Sequence, residues 1–259
     1  MSKLIFVNYA SGPFVKNKKW NNKFIKLFVR PDLLLDLNDR DLKQDSIYLK
    51  GKAVFDEPKG GGYWAWKPWA ILKAFDSANE GDIVIYQDCG IGLRFKNFIK
   101  PTGLINIARR SGCIAGVEIP EYGLNKFWTK AECFDLMGCG NEKYKESPQI
   151  EATTSIWVVG DNNRKILKEW LNYCLDVRVI CDVAVENNEI PNFIEHRHDQ
   201  SILTNLVVKY NLFVIKQNVG ISNLFKSLSV QEIYIRRSTL LGGIFWKILY
   251  LALRLKRGV

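Results

Sequence analysis

Histidine is almost missing from this chain: His196 and His198 are the only two among 259 residues, and the six cysteines include no Cys-x-x-Cys pair. A structural zinc site built from His and Cys at ligand spacing is therefore not expected. Cys89, Cys113, Cys133, Cys139, Cys174 and Cys181 read instead as reduced, mostly buried thiols. Two phosphate-binding signatures are also absent, GxxxxGK[ST] and GxGxxG, so neither a P-loop nor a dinucleotide fingerprint is present. No uninterrupted apolar run reaches the ~20 residues of a spanning helix, and no repeat, low-complexity tract or linker divides the chain. Met1-Ser2-Lys3 leads directly into Leu4-Ile5-Phe6-Val7, too short for an h-region with a cleavage site, so no signal peptide and a cytoplasmic location are expected.

Acid is missing locally as well. From Val15 to Arg30 there are six basic residues and no acid, and from Arg236 to Val259 six more with none, which leaves 25 basic against 27 acidic residues elsewhere. The formal charge of +10 thus resides in two patches on a nearly neutral body. Such patches attract anionic lipid or nucleic acid. In the second, Lys247, Tyr250, Arg254 and Arg257 form one polar stripe at helical spacing, with Ile244, Phe245, Ile248, Leu249, Ala252, Leu253 and Leu255 around the rest. That pattern describes a helix lying in an anionic membrane interface, or one packed on its own domain or a second subunit.

Strand-like and helix-like segments alternate. Strands are expected at Lys3 to Asn8, Asp82 to Gln87, Cys113 to Val117, Ser155 to Val159 and Leu212 to Lys216. Helices are expected over the basic segment Val15 to Arg30, from Pro68 to Phe75, from Ala131 to Met137 behind a Thr129/Glu132 capping box, from Asn163 to Cys174 behind Asp161, and after His198 or Asp199. This alternation predicts an α/β domain over residues 1–235 with a mostly parallel, Rossmann-like sheet, followed by an amphipathic tail over 236–259.

Four constellations can carry chemistry. In Gly60-Gly61-Gly62-Tyr63-Trp64-Ala65-Trp66-Lys67-Pro68-Trp69, glycines permit close backbone approach and Tyr63, Trp64 and Trp66 offer flat faces, while Lys67 stands at a helix start that favours anions. The same aromatics read equally well as core. Asp88, delivered by the strand Asp82 to Gln87 and followed by Cys89-Gly90, stands where open α/β sheets bind ligands. Such a carboxylate can hold a divalent cation, and it can equally be a turn aspartate. The densest cluster is Glu195-His196-Arg197-His198-Asp199-Gln200-Ser201, at the start of a helix. Gln149-Ile150-Glu151-Ala152-Thr153-Thr154, ahead of a strand, suits either sugar contact or a solvated turn.

Taken in order, Gly-Tyr-Trp-x-Trp-Lys-Pro, Tyr-x-Asp-x-Gly, Trp-Thr-Lys, Gln-Ile-x-Ala and His-Arg-His-Asp-Gln-Ser-Ile-Leu resemble bacterial GT-A-type nucleotide-sugar glycosyltransferases of surface-polysaccharide (O-antigen or capsule) clusters, from Lys3 to about Lys216. The resemblance implies a GT-A-like fold, with Asn8, Tyr9, Tyr63, Trp66, Lys67, Asp88 and Gln149 around a nucleotide-sugar donor. It places Asp88 in the metal-binding aspartate motif. The usual Asp-x-Asp is reduced to Asp88-Cys89-Gly90 here, so a Mn or Mg ion would need His196 or His198 as further ligands. His198-Asp199-Gln200-Ser201 also looks like the His-Asp-Glu-Ser segment of retaining blood-group-type galactosyltransferases. That likeness gives Asp199 the donor-sugar hydroxyls and Gln200 a front-face transition state, whereas an inverting reaction makes Asp199 or Glu195 the general base. The implied reaction moves a hexose, UDP-linked, to a hydroxyl of a lipid-linked or growing glycan at the cytoplasmic face of the inner membrane. A non-catalytic glycan- or nucleic-acid-binding protein and a sugar nucleotidyltransferase are the alternatives. The chain has no recognised nucleic-acid motif, and no nucleic-acid partner is expected.

Overall fold

The computed structural model describes residues 2–89, 102–182 and 190–216. The tail expected over 236–259, the boundary at 235, and Gly90 and Glu186 lie outside them. The first strand, β1 (Leu4–Ala10), is buried along its whole length, as a central strand covered on both faces must be. Its side chains alternate between two cores. Ile5, Val7 and Tyr9 enter the larger cluster, and Leu4 and Phe6 enter a smaller one on the other face.

On one side β1 pairs in parallel with β2 (Leu33–Asn38), and on the other with β3 (Ile83–Gln87). Two later strands complete the sheet. β4 (Cys113–Ile114) forms the far edge, and β7 (Thr154–Val158) runs antiparallel between β3 and β4, giving the order β2-β1-β3-β7-β4. Four of five strands therefore share one direction, in keeping with the mostly parallel sheet expected. The stretch expected as one strand from Cys113 to Val117 is divided. Its second part, β5 (Val117–Glu118), joins β6 (Ile150–Glu151) and β8 (Ile215–Lys216) in a small second sheet.

Helices cover both faces. Against the larger cluster lie the Trp66–Asp76, Asp161–Cys174 and Asp199–Tyr210 helices, supplying Trp69, Phe75, Leu167, Trp170, Leu203 and Leu206. Ile25, Val29, Ile105 and Ala108 cover the smaller cluster. The molecule is thus a mixed α/β structure whose central sheet is sandwiched between helices.

The basic segment is helical as expected, α-helical over Val15–Phe24 and π-helical over Ile25–Val29, with Lys18, Asn21 and Asn22 on its buried side. Two local expectations are corrected. The Thr129 hydroxyl donates to Asn125 Oδ1, and Lys130 rather than Thr129 holds the cap position of the Ala131–Leu136 helix. Gly160 caps the Asp161–Cys174 helix, and Asp161 is its first residue, where its charge favours the helix dipole.

Candidate active site

Val84 and Tyr86 of β3 face the larger cluster, so the two-residue period carries Asp88, just past the strand, to the same side. Tyr86 Oη donates to Asp88 Oδ1. The other oxygen, Asp88 Oδ2, lies 3.7 Å from Lys67 Nζ, and Lys67 Nζ lies 2.8 Å from Asp199 Oδ2. The second contact is an ion pair at close range. Three residues from three separated segments therefore meet around one ammonium. Lys67 and Asp199 side chains are each 4% exposed, against 23% for Asp88, so the triad opens to solvent through Asp88.

Burial alone would lower the Lys67 pKa, but the Asp199 and Asp88 carboxylates hold it above the usual lysine value. For Asp199, burial pushes the carboxyl up to about 6, against the pull of the Lys67 ammonium. Tyr86 is raised well above the ordinary tyrosine value by burial and by the Asp88 charge.

The backbone that brings Lys67 here is unusual. Gly60, Gly61, Gly62, Tyr63 and Trp64 have φ of 61°, 60°, 92°, 50° and 59°, a complete left-handed turn. It is closed by Gly62 N donating to Glu57 O and Tyr63 N to Lys59 O, at 2.8 and 2.7 Å. L-residues pay roughly 1–2 kcal/mol each in this conformation, which is why three glycines lead it. Gly62 has a second reason, since a Cβ there would stand 2.8 Å from Phe55 Cα. The glycines thus serve chain geometry and close packing.

The aromatics of this segment are core partners. Trp66 stacks on Tyr9 with ring centroids 4.3 Å apart, and its Nε1 donates to Gly60 O. Tyr63 is buried against the His198 ring, 4.6 Å away.

His198 precedes Asp199 with φ 52° and ψ −120°, outside the regions L-residues favour. Its Nδ1 donates to Ile180 O, 2.8 Å away, and its Nε2 faces Asp182 Oδ1 at 3.7 Å. His196 has both ring nitrogens on backbone: Nδ1 accepts from Lys130 N at 3.4 Å and Nε2 donates to Val179 O at 2.9 Å. Burial, with the neighbouring His198, drives its pKa well below the usual histidine value.

These partners bear on metal binding. The His196 ring keeps no lone pair for a cation, and the open nitrogen of His198 is directed at Asp182. A lysine ammonium already stands between the Asp88 and Asp199 carboxylates. Among the described residues no three His, Cys, Asp or Glu groups are placed to hold a metal ion together. The expected Mn or Mg set of Asp88, His196 and His198 does not fit this arrangement.

Gln200 Oε1 accepts from Ala152 N at 3.4 Å, and its Nε2 has no partner among the described residues. Gln149 is fully buried with both side-chain polar atoms unpaired among the described residues, just ahead of β6 in the second sheet. Glu195 is exposed and pairs with Arg197 Nε at 2.8 Å, and the Arg197 guanidinium covers the Trp128 ring at 4.5 Å. Among the described residues, the Glu195 pair is with Arg197 rather than with the triad.

A cleft of about 420 Å³ opens at the carboxyl ends of β1 and β2, lined by Ser11, Lys18, Asp36, Asn38, Asp39 and Arg40 among others. Tyr9 and Asn8 support it without lining it. Tyr9 Oη donates to Asp39 Oδ1 at 2.6 Å, and Asn8, on the opposite face of β1, donates to Asn22. The Asn38 and Asp41 side chains cap the Asp39–Gln44 helix reciprocally, fixing one wall. Sequence reasoning missed these residues because β2 was not recognised. Its signal is Leu33-Leu34-Leu35-Asp36-Leu37 followed by the turn-forming Asn38-Asp39.

The fold class is α/β, with acidic side chains and a cleft at the carboxyl ends of the parallel strands. No family model matches the chain, and no curated protein matches it. Among solved structures it is similar to the galactosyltransferase LgtC in complex with donor and acceptor sugar analogues, at 15% identity over 90% of this chain and 82% of that one, with a TM-score of 0.37. No residue role is taken from that distant likeness.

Proposed function

We propose that this protein is a GT-A-like glycosyltransferase that moves a hexose from a nucleoside diphosphate, UDP in the simplest case, to a hydroxyl of a lipid-linked or growing surface glycan. The observation that carries this reading is the convergence of Lys67, Asp88 and Asp199. Three of the five segments that resemble the transferases in sequence meet at this ammonium, and a cleft opens at the carboxyl ends of β1 and β2 in the same sheet, where α/β sheets bind nucleotides. In this reading the cleft takes the nucleoside, and the open side of the triad faces the diphosphate and donor sugar.

In the transfer, the bond between the anomeric carbon and the β-phosphate oxygen breaks and its electron pair leaves with the phosphate. The acceptor oxygen forms the new bond to that carbon. Asp199 is held by Lys67 and Glu195 by Arg197, so the acceptor proton passes to the departing phosphate oxygen. That is a front-face, retaining course, with the Gln200 side chain as its polar neighbour. The basic tail over 236–259 holds the enzyme at the anionic cytoplasmic face of the inner membrane, where a lipid-linked acceptor resides.

A panel of nucleotide sugars assayed for donor hydrolysis, with wild type and separate Asp88→Ala and Asp199→Ala variants, tests the reading. Asp199→Ala, which removes the closer partner of the Lys67 ammonium, should lower turnover by about a hundredfold, the size of loss that removal of one preorganised electrostatic group gives, and Asp88→Ala, which loosens that ammonium only on its open side, should lower it by a smaller factor. Near wild-type rates in both would sink it.

A further inference from the structure

We infer that the Lys67 ammonium is the resident cation of this site, standing where the sequence resemblance puts a divalent metal, so that donor binding needs no metal. The inference rests on the donor-site reading and deepens it.

Four observations carry it. Lys67 Nζ lies between carboxylates at 2.8 and 3.7 Å, the position a bridging cation would take. It is held there at both ends, by the left-handed Gly60 to Trp64 turn that precedes it and by the buried Asp199 that faces it. Each candidate ligand other than Asp88 is spent elsewhere: His196 on Lys130 N and Val179 O, His198 on Ile180 O with its remaining nitrogen toward Asp182. Asp88 itself has one oxygen taken by the Tyr86 hydroxyl. A divalent ion entering beside Asp88 would meet an ammonium a few ångströms away in a low-dielectric surround, where like charges repel strongly.

The chemistry asked of this cation is modest. When the anomeric C–O bond breaks, its electron pair adds one negative charge to the departing diphosphate. A buried ammonium already aimed at the site offsets that charge with little reorganisation. Asp88 is then the counter-charge of Lys67 rather than a metal ligand, and it opposes the diphosphate.

The roles separate in a calorimetric titration of the full chain with UDP, in chelator and in excess Mn²⁺. The expected UDP affinities agree within about twofold in the two buffers. Asp88→Asn removes a negative charge facing the diphosphate and should tighten UDP about two- to tenfold, as expected for one partly screened charge. Lys67→Met should weaken it at least tenfold. Should that variant fail to fold, the chelator comparison and Asp88→Asn decide alone. UDP binding that appears only with Mn²⁺, or that is lost in Asp88→Asn, overturns the inference and leaves the transferase reading standing. No binding of UDP, GDP, CDP or dTDP in either buffer overturns both.

Discussion

Replacing Gly62 by alanine tests the left-handed turn that presents Lys67. The residue has φ 92°, and a Cβ built there lies 2.8 Å from Phe55 Cα and 3.0 Å from Val54 O, both backbone atoms that cannot turn aside. Positive φ costs alanine roughly 1–2 kcal/mol. Forcing the backbone of Val54 and Phe55 away adds about 1–3 kcal/mol, and the stiffer unfolded chain returns about 0.4–1 kcal/mol. The net loss is about 1–5 kcal/mol, centred near 3. For a chain of this size each kcal/mol moves the melting temperature by about 2–4 °C, so a fall of roughly 6–12 °C is expected at the centre of that range. Gly81 is the control, with φ 78° and no atom within 4 Å of a built Cβ. Gly81→Ala carries only the conformational cost, about 1 kcal/mol after the unfolded-state gain. Urea unfolding of both variants beside wild type gives the two losses directly. Equal losses would refute the argument, because φ alone would then account for Gly62.

Asp199 and His196 should tilt the pH dependence of stability in opposite directions. Unfolded aspartate titrates near 3.9 and folded Asp199 near 6, so between about pH 4 and 6 the folded protein keeps a proton that the unfolded chain has released. That contribution is full below pH 4 and is lost as pH rises to 6. Asp199→Asn should flatten the corresponding part of a urea-midpoint profile by roughly 1–3 kcal/mol. Folded His196 resists protonation, so its contribution is lost as pH falls below about 6.5, where the unfolded histidine takes up a proton. His196→Gln should shrink the stability difference between pH 7.5 and 5. Deleting residues 240–259 should abolish sedimentation with anionic liposomes while transfer to a soluble acceptor persists, and unchanged sedimentation would remove the anchor from the proposal.

Asp88 was legible because an apolar run of strand composition ends at it, and period two then fixes the face it leaves from. The start of the Asp199–Tyr210 helix was legible too, since Asp199 and Ser201 are cap-type residues ahead of a helical apolar spacing. Their meeting through Lys67 was not, because no local pattern records a contact between segments so far apart in the chain. The glycines at 60–62 announced a turn, but nothing in Tyr63 or Trp64 announces positive φ, a conformation in which both rings lie against His198. Large aromatics beside glycines suggested ligand-facing rings. Trp66 fills the core against Tyr9 instead, where its apolar area stabilises the fold more than exposure would. The cleft was overlooked together with β2, whose burial is only partial and whose aspartate interrupts an otherwise apolar run.

The reversed strand β7 also sets a clock on synthesis. Once β3 has left the ribosome it can pair with β1 on one side, but its other edge has no partner until β7 follows. At about 5–20 residues per second, the roughly seventy intervening residues take about 4–14 s. For that interval the nascent chain carries an open, apolar sheet edge, which is the template that edge-to-edge aggregation uses. A slow stretch of translation within this interval would lengthen the exposure, so yield on overexpression should respond to codon choice there more than after Val158.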